Sequence, residues 1–129
     1  MQLGARIFVG LFVLIAGLGV GARWLFTPDA VGAEMGIALS GPVAYNQVRG
    51  DMGGAFVGVA VLCAYGLFKR QPQLLRAVAV LTGSVVLGRA FGVLMNGFAP
   101  EIGVAMTVES LAVAALVYSA KTMDAAPAR

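Results

Sequence analysis

Histidine is absent from this chain, and cysteine occurs once, at Cys63. A single thiol forms neither an intrachain disulfide nor a two-cysteine redox motif, and any metal site would need carboxylates alone. We therefore predict no metal and no cofactor. Without histidine, a cysteine pair or a serine nucleophile beside a base, an enzyme is the least favoured class of function. No basic run is interleaved with aromatic residues, so nucleic-acid binding has no support.

Charged residues are also scarce. They make up 12% of the 129 residues, whereas 60% are hydrophobic, and the mean hydropathy is +0.90. A soluble domain is about a quarter charged and about half apolar. We therefore predict a protein of the lipid bilayer, with a single membrane domain over residues 1–129.

Four apolar runs are long enough to cross about 30 Å of hydrocarbon. The predicted spans cover about residues 7–25, 48–68, 74–94 and 102–119, and a polar tail follows at 120–129. This pattern predicts an all-α fold, an integral membrane four-helix bundle with up-down topology. A secretory signal peptide is the alternative for the first run, but that run is long and further spans follow it.

A helix-start pattern lies in the connection between the first two spans. Thr27 is the predicted N-cap, Pro28 the first helical residue, and Asp29 an acid near the positive end of the helix dipole. The short helix is predicted to lie at the membrane interface and to end at about Met35. Trp24 is also expected at the interface, where amphipathic rings settle.

Glycines form stripes on the first two spans. Gly10, Gly17 and Gly21 fall close to one face of the first span and predict a packing seam. Another stripe recurs at every fourth residue of the second span, at Gly50, Gly54 and Gly58. Such stripes fit packing within one chain and a homo-oligomer equally well.

The distribution of basic residues predicts the orientation in the membrane. Six lie on the side of both termini, namely Arg6, Lys69, Arg70, Arg76, Lys121 and Arg129. Three lie in the other half, namely Arg23, Arg49 and Arg89. Because cytoplasmic loops carry the excess of lysine and arginine, both termini are predicted to be cytoplasmic.

Four ionisable residues fall within the predicted spans, and their charges sum to zero: Arg49, Asp51, Arg89 and Glu109. Each costs at least ~2.5 kcal/mol at bilayer depth unless it is paired or reached by water. We expect all four to turn inward and pair, with Arg89–Glu109 as the deepest pair and Arg49–Asp51 nearby.

Two asparagines complete the candidate site. Asn96 shares a helical face with Arg89 and would lie near the mouth of a polar cavity, and Asn46 opens the second span beside Tyr45. Tyr45 and Asn46 are predicted to cap that span. The candidate ligand-binding or charge cluster therefore consists of Arg49, Asp51, Arg89, Glu109, Asn46 and Asn96.

Three functions remain open for this cluster. The favoured one is a ligand-binding protein or an accessory subunit of a larger membrane complex, in which a polar cavity holds a small amphipathic or lipophilic ligand. The first alternative is a proton-coupled small-molecule transporter, with Glu109 as the proton acceptor. The second is a purely structural charge cluster that fixes helix order.

The charged positions also carry a family resemblance. The run Asn46-Gln47-Val48-Arg49-Gly50, with Gly53-Gly54 after it and Gly88-Arg89 and Glu109 in later spans, resembles a bacterial family of small four-helix integral membrane proteins of unknown function. That family is distantly similar to the DoxX-like membrane proteins. Its second span typically opens with Asn-Glu-x-Arg-x-x-Tyr-Gly-Gly. Here Gln47 replaces the acid and Met52 replaces the aromatic residue, and Asp51 would supply the displaced negative charge. The resemblance covers nearly the whole chain and implies the fold, the charged positions and a bacterial inner membrane, but no activity.

Overall fold

The computed structural model describes residues 2–125, which form five helices and no strand. The all-α prediction is confirmed. Helix α1 joins the runs Gln2–Leu14, Ile15–Ala22 and Arg23–Phe26, and the others are α2 (Pro28–Glu34), α3 (Gly41–Phe68), α4 (Pro72–Asn96) and α5 (Pro100–Asp124).

Four of these helices, α1, α3, α4 and α5, are long and apolar enough to cross a membrane. Only 17–22% of their most apolar windows is buried inside the protein. Large apolar side chains such as Leu18, Phe68 and Leu94 are more than half exposed. Water disfavours so large an apolar surface, whereas acyl chains match it. The helices therefore have the composition of a multi-pass membrane protein.

Two helix boundaries differ from the predicted ones. Helix α3 begins at Gly41 instead of residue 48, so Tyr45 and Asn46 lie inside the helix and do not cap it. Pro42 explains the early start, because its fixed φ suits the first turn of a helix. Helix α5 continues to Asp124, into the predicted polar tail, of which residues 126–129 lie outside the described part of the chain.

The chain divides into two compact units, one of Met1–Val9 with Tyr65–Arg129, the other of Gly10–Ala64. The single domain over residues 1–129 stays a prediction. In the first unit, α4 and α5 form an antiparallel hairpin. Its core is built from Leu75, Val78, Ala79 and Thr82 of α4 and from Ala112, Leu116, Ser119, Ala120 and Met123 of α5.

Tight turns join the helices of the first unit. Gly97 ends α4 with φ 92°, a left-handed conformation that glycine adopts without steric cost. A basic turn lies at Lys69–Gln71, between α3 and α4, where Arg70 has φ 53° and the Gln71 N–H donates to the Gly66 carbonyl.

In the second unit, α1 and α3 pack closely at glycines. A Cβ at Gly17 would lie 2.9 Å from Ala60 Cβ, and one at Gly21 would lie 2.8 Å from Val57 Cγ2. These positions leave no room for a side chain. The predicted seam is thus confirmed at Gly17 and Gly21, whereas a Cβ at Gly10 would meet no atom within 4 Å.

Helices α1 and α3 each contain π-helical turns where they meet, at Ile15–Ala22 in α1 and at Val48–Gly54 in α3. Hydrogen bonds there run from residue i to i+5, so every fourth residue no longer shares one face. This explains why Gly50 and Gly58 lie in open space and Gly53 faces α1 instead, where its Cβ would lie 2.8 Å from Leu25 Cγ.

Trp24 lies in this closely packed seam. The ring is 1% exposed and therefore belongs to the packed interior, and its position at the membrane interface stays a prediction. The last turn of α1, which contains Trp24, packs against the π-helical turns of α3. Phe26, two residues later, is 80% exposed.

Candidate functional site

The deepest predicted pair, Arg89 with Glu109, is present within the α4–α5 hairpin. Arg89 Nε donates to Glu109 Oε2 at 2.9 Å and to Oε1 at 3.2 Å, and Nη2 donates to Oε1 at 3.0 Å. The side chains are 31% and 14% exposed. Both carboxylate oxygens are therefore satisfied by one guanidinium, the strongest ion-pair geometry available to these side chains. The pair therefore joins α4 to α5 through three hydrogen bonds.

The predicted pairing of Arg49 with Asp51 is not formed. Arg49 Nε instead donates to the Leu25 carbonyl at 3.0 Å. Residues two apart on a helix point to different sides, which keeps these two charges from facing each other. Leu25 lies in the last turn of α1, where carbonyls lack intrahelical partners. Arg49 thus caps the negative end of α1 from α3.

A groove of about 520 Å³ opens around this arginine. It is lined by Gly41, Pro42, Tyr45, Asn46 and Arg49, all of them on α3. The Arg49 guanidinium lies over the Tyr45 ring, 5.8 Å from its centroid, in a cation–π arrangement. Arg49 makes no ion pair within residues 2–125. Its side chain hydrogen-bonds there to a backbone carbonyl, that of Leu25. The groove therefore contains a cation without a counter-charge.

Helix α2 is held to both neighbouring helices of its unit. The Tyr45 hydroxyl of α3 donates to the Asp29 carboxylate of α2, and Arg23 Nη2 of α1 donates to Glu34 Oε1 at 2.6 Å. These contacts fix the connection beside the groove and orient the Tyr45 ring. Thr27 is the N-cap residue of α2, with Pro28 and Asp29 in the first turn, as predicted. Its side chain makes no capping bond, because the Thr27 hydroxyl donates back to the Arg23 carbonyl at 3.1 Å.

The exposed Arg23–Glu34 contact has a pH signature. The hydrogen bond from Arg23, reinforced by its charge, lowers the pKa of Glu34 below its ordinary value of 4.5. The stabilisation that this contact gives the folded state is fully present above that ordinary value, and it is lost as the pH falls through the lowered pKa of Glu34. We expect Glu34→Gln to lower the Tm at pH 7 and to leave it unchanged at strongly acidic pH.

Thermal unfolding of wild type and Glu34→Gln across this range measures the effect. Glu101→Gln is the matched control, because Glu101 is an exposed acid that makes no ion pair within residues 2–125. A Tm difference for Glu34→Gln that persists unchanged at acidic pH would contradict the assignment.

The six candidate residues are divided between the two units, three in each. Arg89 and Glu109 form one pair in the hairpin, and Asn96 is exposed at the end of α4, about 10 Å along the axis from Arg89. In the other unit, Asn46 lines the groove with Arg49, whereas Asp51 is exposed and not among the lining residues. Each unit therefore contains its own polar site.

Sequence reasoning missed three participants in the second unit. The Leu25 carbonyl has no side-chain signal, and Tyr45 was assigned to a cap. Asp29 was assigned to the start of α2, although it accepts the Tyr45 hydroxyl. The clustering of Gly50, Gly53 and Gly54 was the available signal for irregular turns around Arg49.

Comparison with known proteins gives a family without an activity. No curated protein matches the chain. No solved structure matches it either. A family model described as a domain of unknown function, DUF4345, matches residues 4–120, which include every candidate residue and most of each of the four long helices. The chain therefore belongs to the DUF4345 family.

Proposed function

We propose that this protein is a multi-pass protein of a bacterial inner membrane that binds a small amphipathic ligand through the groove at Arg49. Its four long helices would form an up-down bundle with both termini in the cytoplasm and α2 at the outer interface. The excess of lysine and arginine on the side of the termini supports this orientation. The distant relation to DoxX-like proteins stays a prediction.

One observation carries the binding proposal. Arg49 lies inside a long apolar helix, lines a groove, and is bonded through Nε to a carbonyl, and it forms no ion pair within residues 2–125. An arginine at membrane depth is costly unless a counter-charge or water reaches it. An anionic ligand would supply the counter-charge that the described residues do not. The Tyr45 ring and Pro42 would contact the apolar part of that ligand.

The Arg89–Glu109 pair has a different role in this proposal. All three of its hydrogen bonds are internal, so neither side chain is available to a ligand without breaking them. We assign the pair to holding α4 and α5 in register, which is the structural alternative for that half of the cluster.

Native mass spectrometry of the detergent-purified protein tests the binding site. We expect wild type to retain a discrete bound mass and Arg49→Gln to lose it. Lys69→Gln is the matched control, because it removes one positive charge from the exposed turn after α3 and leaves the groove intact. A bound mass retained equally by wild type and Arg49→Gln would refute the proposal.

A further inference from the structure

We infer that the group bound at Arg49 is the phosphodiester of an anionic glycerophospholipid, an inference that rests on the binding site proposed above. The first argument is depth. Helix α3 has 28 residues, which at 1.5 Å per residue makes it about as long as the full thickness of a bilayer with its headgroups. Arg49 follows Gly41 by eight residues, about 12 Å along the axis. Its side chain can therefore extend to the level of the lipid phosphates.

The free donors of Arg49 give the second argument. Nε is occupied by the Leu25 carbonyl, which fixes the plane of the guanidinium and leaves the two terminal amino groups. These form a fork that matches two oxygens of one phosphate. The Asn46 side-chain amide lines the same groove and offers further donors to a phosphate oxygen. A carboxylate also fits the fork, so a fatty acid is the chemical competitor.

The surroundings of the groove give the third argument. Pro42 lines the groove beside Tyr45, and Phe26, which follows Leu25, is 80% exposed. These side chains offer apolar surface to the glycerol and acyl portions of a lipid. The Tyr45 hydroxyl donates a hydrogen bond to Asp29, which leaves the Tyr45 ring to contact the lipid. A cationic fork with apolar neighbours is suited to a lipid headgroup that is joined to acyl chains.

The experiment titrates the full chain in detergent with four probes, read by native mass spectrometry. The probes are phosphatidylglycerol, phosphatidylcholine, a fatty acid of the same acyl length, and inorganic phosphate. Phosphatidylglycerol is expected to bind wild type most tightly. Arg49→Gln should weaken that binding about tenfold or more, since a charge-assisted bond is lost. Asn46→Ala should weaken it about threefold, and Lys69→Gln should leave it unchanged.

Each other outcome overturns a defined part of the inference. Fatty acid that binds through Arg49 while phosphatidylglycerol does not would exclude the phosphodiester and leave the binding site standing. Inorganic phosphate that binds as tightly as phosphatidylglycerol would identify a soluble phosphate ligand. Phosphatidylcholine that binds as tightly would exclude selection for net negative charge. Probe binding that is equal in wild type and Arg49→Gln would overturn the inference and the proposed site together.

Arg49 also caps α1, so Arg49→Gln is checked by circular dichroism before it is titrated. If that variant does not fold, Asn46→Ala decides the question, because the Asn46 side chain lines the groove and does not contact the Leu25 carbonyl. A loss of phosphatidylglycerol affinity by about threefold then supports the inference, and an unchanged affinity overturns it.

Discussion

Arg89→Ala is expected to destabilise the α4–α5 hairpin by about 3 kcal/mol, because it leaves the Glu109 carboxylate without a counter-charge. Glu109 is 14% exposed and accepts three hydrogen bonds from Arg89. Glu109→Ala is expected to cost a similar amount, since Arg89 then lacks its partner. The double variant should be milder than the sum of the two single changes by about 1–3 kcal/mol, which is the coupling expected of contacting charges.

Reversible unfolding in mixed micelles, followed by circular dichroism, measures these free energies. Arg76→Ala is the control within the same hairpin. Arg76 pairs with Asp124, but the two side chains are 48% and 46% exposed, so the expected cost is below about 1 kcal/mol. Additive effects of Arg89→Ala and Glu109→Ala would show that the pair does not hold the hairpin together.

The same series separates the structural pair from a proton-coupled transporter. If Glu109 is the acceptor of a transported proton, Glu109→Gln abolishes proton-linked flux and leaves the fold intact. If the pair is structural, Glu109→Gln lowers stability, because Arg89 keeps a hydrogen-bond partner but loses the opposite charge. Flux measured in vesicles beside the unfolding free energy therefore decides between the two.

The Arg89–Glu109 pair could be predicted from sequence because both charges lie at similar depth on two consecutive apolar helices. A short turn makes such helices antiparallel neighbours, and the cost of an unpaired charge in the membrane then favours pairing of the two side chains. The four long helices could be predicted for a similar reason, since the length and hydropathy of a run need no tertiary information. Their presence is confirmed.

The environment of Arg49 could not be predicted in the same way. Its partner is the Leu25 carbonyl. Every residue has a backbone carbonyl, so no sequence pattern identifies the one that Arg49 contacts. The π-helical turns at Val48–Gly54 also change the face of the helix on which each residue lies. An α-helical period therefore predicts close packing at Gly50 and Gly58, whereas Gly53 makes the close approach to α1. Local widening of a helix depends on what it packs against.

Gly21→Ala is expected to destabilise the second unit by about 1–3 kcal/mol, the usual cost of overpacking a well-packed core. Its Cβ would lie 2.9 Å from the backbone N of Val57 and 3.1 Å from the carbonyl oxygen of Gly53. Backbone atoms cannot rotate away as a flexible side chain can, so α1 and α3 must move apart. That movement also separates the Leu25 carbonyl from Arg49, which precedes Gly53 by four residues in α3.

Gly19→Ala is the matched control, two residues away in the same π-helical run. Its Cβ would meet Ile15 Cγ2 alone, at 3.9 Å, which is an ordinary van der Waals contact. Because alanine is favoured over glycine inside a helix by about 1 kcal/mol, Gly19→Ala should leave stability unchanged or raise it. The unfolding free energy is therefore expected to fall in Gly21→Ala and not to fall in Gly19→Ala. Equal effects would mean that the close approach of α1 to α3 at Gly21 does not stabilise the unit. A loss of lipid binding in Gly21→Ala but not in Gly19→Ala would further tie the glycine seam to the position of Arg49.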